Sequence, residues 1–108
     1  MEPDPPGWIR VRLEFHEEVA GDVLSATAFY EKISPRLASD FERELQGCLR
    51  RAAAEPFRCQ PELEFRRINL KRFPYHLLFS VEDDLVRIMV VRHNKRRPSF
   101  GVDRFRQK

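Results

Sequence analysis

The hydrophobic period of this 108-residue chain changes twice, from two to about 3.6 and back to two, and few folds accept that order. Ile9-Arg10-Val11-Arg12-Leu13-Glu14-Phe15 alternates strictly, so its four apolar side chains share one face of a half-buried strand. From about Glu17 to Lys32 the spacing turns helical: Ala20, Val23, Thr27 and Tyr30 line one side, widened by Leu24 and Ala28. Glu17, Glu18 and Asp22 lie near its start, where carboxylates complement the helix dipole. Ser34-Pro35 supplies an N-cap and a proline at the first helical position, so a second helix follows almost at once. Leu37, Phe41, Leu45, Cys48, Leu49 and Ala52 form its inward stripe, and Glu55-Pro56 ends it. Helices joined this tightly are antiparallel neighbours.

After a Pro- and Phe-bearing loop from Pro56 to Glu62, period two returns in three strands. In the first, Glu64–Lys71, Ile68 and Leu70 face one way while Arg67, Asn69 and Lys71 face the other. The second, Tyr75–Val81, sets Tyr75, Leu77, Phe79 and Val81 against His76, Leu78 and Ser80, and Glu82-Asp83-Asp84 makes a polar turn. The third, Leu85–Val91, is almost continuously apolar and β-branched, as a strand inside a sheet should be. The order β-α-α-β-β-β predicts an α+β fold, an antiparallel sheet with a helical hairpin packed on one face. Counting directions through the hairpin sets the first strand antiparallel to the second and to the fourth. The uncovered face is expected to carry the arginines and lysines.

A chain of this length, 42% apolar with nine Phe, suffices for one core and one domain, over residues 9–98. Residues 1–8, with three prolines and a glycine, predict a flexible N-terminal arm. Residues 99–108 predict a basic C-terminal segment, either a short strand or a flexible tail. The sequence shows no stretch of 18 apolar residues and no secretory signal pattern, which predicts a cytoplasmic protein with no membrane association. Cys48 and Cys59 have no metal-ligand spacing, so neither a metal site nor a cofactor is expected. The net charge of +3 conceals an asymmetry: residues 1–63 sum to −4 and residues 64–108 to +7. The C-terminal part should therefore attract an anionic partner, either nucleic acid or an acidic protein.

Four short stretches, in order on their elements from Val11 to Pro98, carry a family resemblance. Phe29-Tyr30-Glu31-Lys32-Ile33-Ser34-Pro35 resembles the first-helix end and Ser-Pro turn of ParE-like proteins, and Glu55-Pro56-Phe57 the close of their second helix. Arg72-Phe73-Pro74-Tyr75 is similar to their Arg-Phe-Pro-Tyr approach to the next strand, and His93-Asn94-Lys95-Arg96-Arg97-Pro98 to their His-x-x-Arg-x-Pro segment. On these grounds the chain resembles the RelE/ParE superfamily of type II toxin–antitoxin toxins. The resemblance implies growth arrest by the free protein and silencing by a cognate acidic antitoxin. ParE-like members poison DNA gyrase without nuclease chemistry, whereas RelE-like members cleave mRNA on the ribosome, so the fold alone does not decide the activity.

A nuclease of this kind needs a base for the 2′-hydroxyl and cations for the phosphorane. His93 and Arg72 are the candidates for base and electrostatic clamp if the chain is a nuclease; otherwise His93 merely ends a strand. Arg67, Lys71, Arg92, Lys95, Arg96 and Arg97 are the candidates for binding the target. Histidine-using relatives often add a Glu on the sheet and a late tyrosine, where this chain offers Phe100 and Phe105. Relatives that use lysines find a partial parallel only in Lys71. The fuller match is ParE-like, which implies gyrase poisoning, with ribosome-dependent mRNA cleavage as the alternative. A non-toxic nucleic-acid-binding module is the third reading, although no aromatic platform is spaced along one strand.

Overall fold

Each helix opens after a side chain that precedes it and accepts a backbone N–H. His16 is buried, and its Nδ1 accepts the Glu18 N–H at 3.1 Å while its carbonyl accepts the Val19 N–H at 3.0 Å. That turn opens α1 (Val19–Ile33) after the short strand β1 (Arg12–Phe15). Ser34 then does two jobs in an extended conformation. Its N–H closes α1 on the Tyr30 carbonyl at 2.9 Å, and its Oγ accepts the Leu37 N–H at 3.2 Å to open α2 (Pro35–Ala54). The computed structural model describes residues 12–106, so the expected N-terminal arm and the start of the first strand, Ile9 to Val11, lie outside the described residues.

The inward stripe of α2 follows its sequence: Phe41, Leu45, Cys48 and Ala52 are buried, with Leu37 and Leu49 partly so. For α1 the expected phase needs correction. Val19, Ala26 and Tyr30 face the core beside Val23, whereas Ala20 and Ala28 are exposed and Leu24 is 70% exposed. Apolar residues occur nearly all round this helix, so spacing alone could not orient it. Contact with α2 and the sheet does: the Tyr30 ring lies 5.3 Å from Phe41 and 4.9 Å from Phe73.

The sheet is mixed and has five strands rather than four, in the order β1-β5-β4-β3-β2. The additional strand is β2 (Gln60–Glu62), ahead of β3 (Phe65–Asn69), β4 (Tyr75–Glu82) and β5 (Leu85–His93). It corrects the expected directions. The chain leaves the helical hairpin and enters the sheet as β2, and a tight turn reverses it into β3. That extra reversal changes the parity of every later strand, so β1 pairs with β5 in parallel and the sheet is not wholly antiparallel. The α+β class and the helical hairpin on one face hold.

The face away from the helices is not an open field of arginines and lysines. The pairing of β4 with β5 slips between Leu78 and Phe79, so that Leu78 meets Val90 and Phe79 meets Ile88. Met89 is the extra residue of this bulge. Phe65, Leu78, Met89 and Val90 form a second buried cluster there, covered by Phe100 and Val102. Burial on both faces explains the unbroken apolar run of β5. The segment after Pro98 is neither an added strand nor a loose tail over residues 99–104: it lies back on the sheet and enters a short 3-10 turn at Val102–Arg106. The side chain of Phe105 is not described, and Lys108 lies outside the described residues.

Candidate target-binding face

β1 pairs with β5 only as far as Ile88, so the last residues of β5 would form a bare edge. Two side chains cap it. Asp22 on α1 accepts the Val91 N–H at 3.1 Å, and Arg104 donates to the Met89 carbonyl at 3.1 Å. Asp22 and Arg104 also pair with each other through two hydrogen bonds, at 2.7 and 3.0 Å, and both side chains are largely buried. The hydrogen bond from Arg104 to Asp22 holds the guanidinium pKa above its ordinary value, against the opposing effect of burial. Edge and C-terminal segment are thereby fixed beside α1.

Past this edge the chain turns through residues 94–100. The His93 ring meets Tyr75 edge-on at 5.1 Å, and its Nδ1 accepts the Lys95 N–H at 3.0 Å. Its carbonyl accepts the Arg96 N–H at 3.0 Å, and the Asn94 N–H binds the Pro74 carbonyl at 2.8 Å. Lys95, Arg96 and Arg97 are exposed, and none forms an ion pair among the described residues. The Arg96 guanidinium lies 4.8 Å over the Phe100 ring, with Arg104 at 5.5 Å from the same ring. On one side of Arg96 a recess of about 260 Å³ opens toward Ser25 and Phe29 of α1 and toward Tyr75 and His93. On the other, one of about 590 Å³ is lined by Arg97, Ser99, Asp103 and Glu18.

Arg72, Lys71 and Arg67 do not gather around this loop. Arg72 sits in the β3–β4 turn with its guanidinium 3.3 Å from Asp40 of α2, and its N–H and that of Lys71 both bind the Glu44 carboxylate. Arg67 pairs with Glu62 at 2.9 Å and donates to Asn69. Arg92 is buried, its side chain 2% exposed, so it has no free guanidinium to offer a target. It donates to His76 Nε2 (2.8 Å), to Glu62 (2.9 Å) and to the carbonyls of Pro98 (2.7 Å) and Phe100 (3.0 Å). Composition could not distinguish Arg92 from its exposed neighbours. The alternation of β4 does put His76 on the face opposite the helices, and that was the available signal for this buried group. Asp22 and Arg104, 82 residues apart, gave none.

A family model described as ParE toxin of type II toxin-antitoxin system, parDE, matches residues 13–98. A solved structure of the chromosomal ParDE TA system from P. aeruginosa superposes with a TM-score of 0.68 at 16% identity, covering 78% of this chain and 96% of that one. No curated protein matches the sequence.

Proposed function

Because the chain belongs to the ParE toxin family and is a toxin of a type II toxin–antitoxin system, we propose that it arrests growth by a non-nuclease route, gripping DNA gyrase through the exposed Lys95-Arg96-Arg97 loop. One observation carries this reading. The loop presents three cations that form no ion pair among the described residues, while the imidazole beside them has its Nδ1 lone pair committed to the Lys95 N–H. In neutral His93 the ring proton then sits on Nε2, which leaves neither ring nitrogen a free lone pair with which to act as a general base. Arg72, the other part of a nuclease site, is engaged with Asp40. Arg67 and Lys71 contribute to the positive field, and Arg92 acts from beneath the surface.

The partner that silences the toxin is an acidic antitoxin, and both act in the cytoplasm. Phe29 and Ile33 lie one helical turn apart on α1, 57% and 62% exposed, and offer anchors to an amphipathic helix. An extended antitoxin segment would follow at a sheet edge or across the basic loop, where charge raises the association rate more than the affinity.

Supercoiling by purified gyrase and mRNA cleavage in a translating extract test the target, with parent, His93→Gln and the Arg96→Ala/Arg97→Ala pair at equal folded concentration. Gyrase inhibition without cleavage is expected, little changed by His93→Gln and weakened in a salt-dependent way by the double substitution. Cleavage that drops roughly 10²–10⁴-fold in His93→Gln would establish the RelE-like alternative instead. Mixing the toxin with the acidic protein encoded beside it should give a complex at low salt; none forming counts against the antitoxin assignment.

A further inference from the structure

We propose that Arg92 and His76 are positioning residues of the basic loop 94–100, which keeps its shape only while His76 is neutral. The functional weight of the loop rests on the reading above; the assignment of what holds it does not. Residues 94–100 have no strand or helix of their own, yet three mutually repelling cations must be presented from them. Both ends of the loop are tied to one buried pair. At its start, Asn94 Oδ1 lies 2.7 Å from His76 Nδ1. At its end, one Arg92 nitrogen donates to the carbonyls of both Pro98 and Phe100. The pair is itself joined by the Arg92 Nε–H donating to His76 Nε2 at 2.8 Å, and Glu62 anchors it from the edge strand.

These contacts fix the protonation state. Nε2 accepts from Arg92, so the single proton of neutral His76 sits on Nδ1 and goes to Asn94. A second proton would place an N–H at Nε2 against the Arg92 Nε–H, and an imidazolium beside a guanidinium. The charged groups facing His76 are Arg92 on β5, Arg67 on β3 and Glu62 on β2, two cations against one carboxylate. Burial keeps the imidazole pKa below its ordinary value; the Asn94 hydrogen bond and Glu62 oppose this, and the two arginines add to it. Lysine at position 92 would keep the charge but could not span His76, Glu62 and two carbonyls at once.

Loop shape can be measured without any partner. Trypsin reports it at pH 8 by nicking after Lys95 and Arg96, since the Arg97–Pro98 bond resists. Arg92→Lys should be nicked about tenfold faster than the parent while the domain still melts cooperatively. In the parent, amide exchange over residues 96–100, corrected for intrinsic pH dependence and referenced to β4, should rise about tenfold between pH 7.5 and 5.5. His76→Gln retains an acceptor and a donor but cannot be protonated, so it should keep the loop closed and abolish that rise. Equal nicking of Arg92→Lys and parent, or an undiminished rise in His76→Gln, would overturn the proposal. If Arg92→Lys opens the loop and still inhibits gyrase fully, the target-binding reading fails while the positioning assignment stands.

Discussion

Gly101 adopts a φ of 82° and lies so close to Val90 that a Cβ would sit 2.8 Å from both Val90 Cβ and Cγ2. A left-handed backbone and a forbidden contact coincide at one position, and both are met by the absence of a side chain. Gly101→Ala must strain the backbone or lift the C-terminal segment from the second apolar cluster, at a cost of about 1–3 kcal/mol. Chemical denaturation of Gly101→Ala, Val90→Ala and the double variant checks the cause. Val90→Ala removes both Cγ atoms but keeps Cβ, so the double variant should recover part of the loss and be more stable than the sum of the single losses predicts, whereas strict additivity would place the strain in the backbone or against Val90 Cβ. No sequence motif marks this glycine, because its constraint comes from a strand eleven residues earlier in the chain.

At the scale of elements, the parts legible in the sequence are those whose period and punctuation agree. In α2, cap, N1 proline and apolar stripe all point the same way, and the structure follows them. In β2 they conflict: the strand has three residues with Pro61 in the middle. Its turn into β3 also lacks the usual glycine or asparagine and instead holds Leu63 in the left-handed region at φ 56°. Without that turn signal the segment reads as loop, and every strand direction after it is miscounted by one reversal. The helix reading supports a sharper expectation. Phe41 is fully buried, with the rings of Tyr30, Phe73 and Tyr75 each 5.3 Å away, so it joins both helices to the sheet. Phe41→Ala should cost about 3–5 kcal/mol against a total of about 5–15 for a domain of this kind. A melting temperature equal to the parent's would contradict this packing.

Across the whole molecule, the charge asymmetry of the sequence resolves into two populations that composition cannot separate. Lys95, Arg96 and Arg97 remain on the surface, whereas Arg92 and Arg104 are drawn inside, each to a carboxylate from a distant part of the chain. The titratable groups bound to Arg92, His76 and Glu62, make stability depend on pH, with a definite sign. His76 has a folded pKa below its unfolded value, so between the two the unfolded chain binds the additional proton. Its contribution is complete above about pH 6.5 and is lost as pH falls toward the folded value. Glu62 has the same sign at lower pH: burial raises its pKa, but the Arg67 hydrogen bond and the charges of Arg67 and Arg92 outweigh that and hold it below the ordinary carboxylate value. Acid should therefore weaken this network in two stages, first through the imidazole and then through the carboxylate. Urea midpoints measured from pH 8 to pH 4 should begin to fall near the ordinary histidine pKa and fall again below about pH 4.5. In His76→Gln the first decline should shrink while the second remains. A parent midpoint that stays flat between pH 7 and 5, or an identical first decline in the variant, would show that His76 is not the group whose protonation loosens the fold.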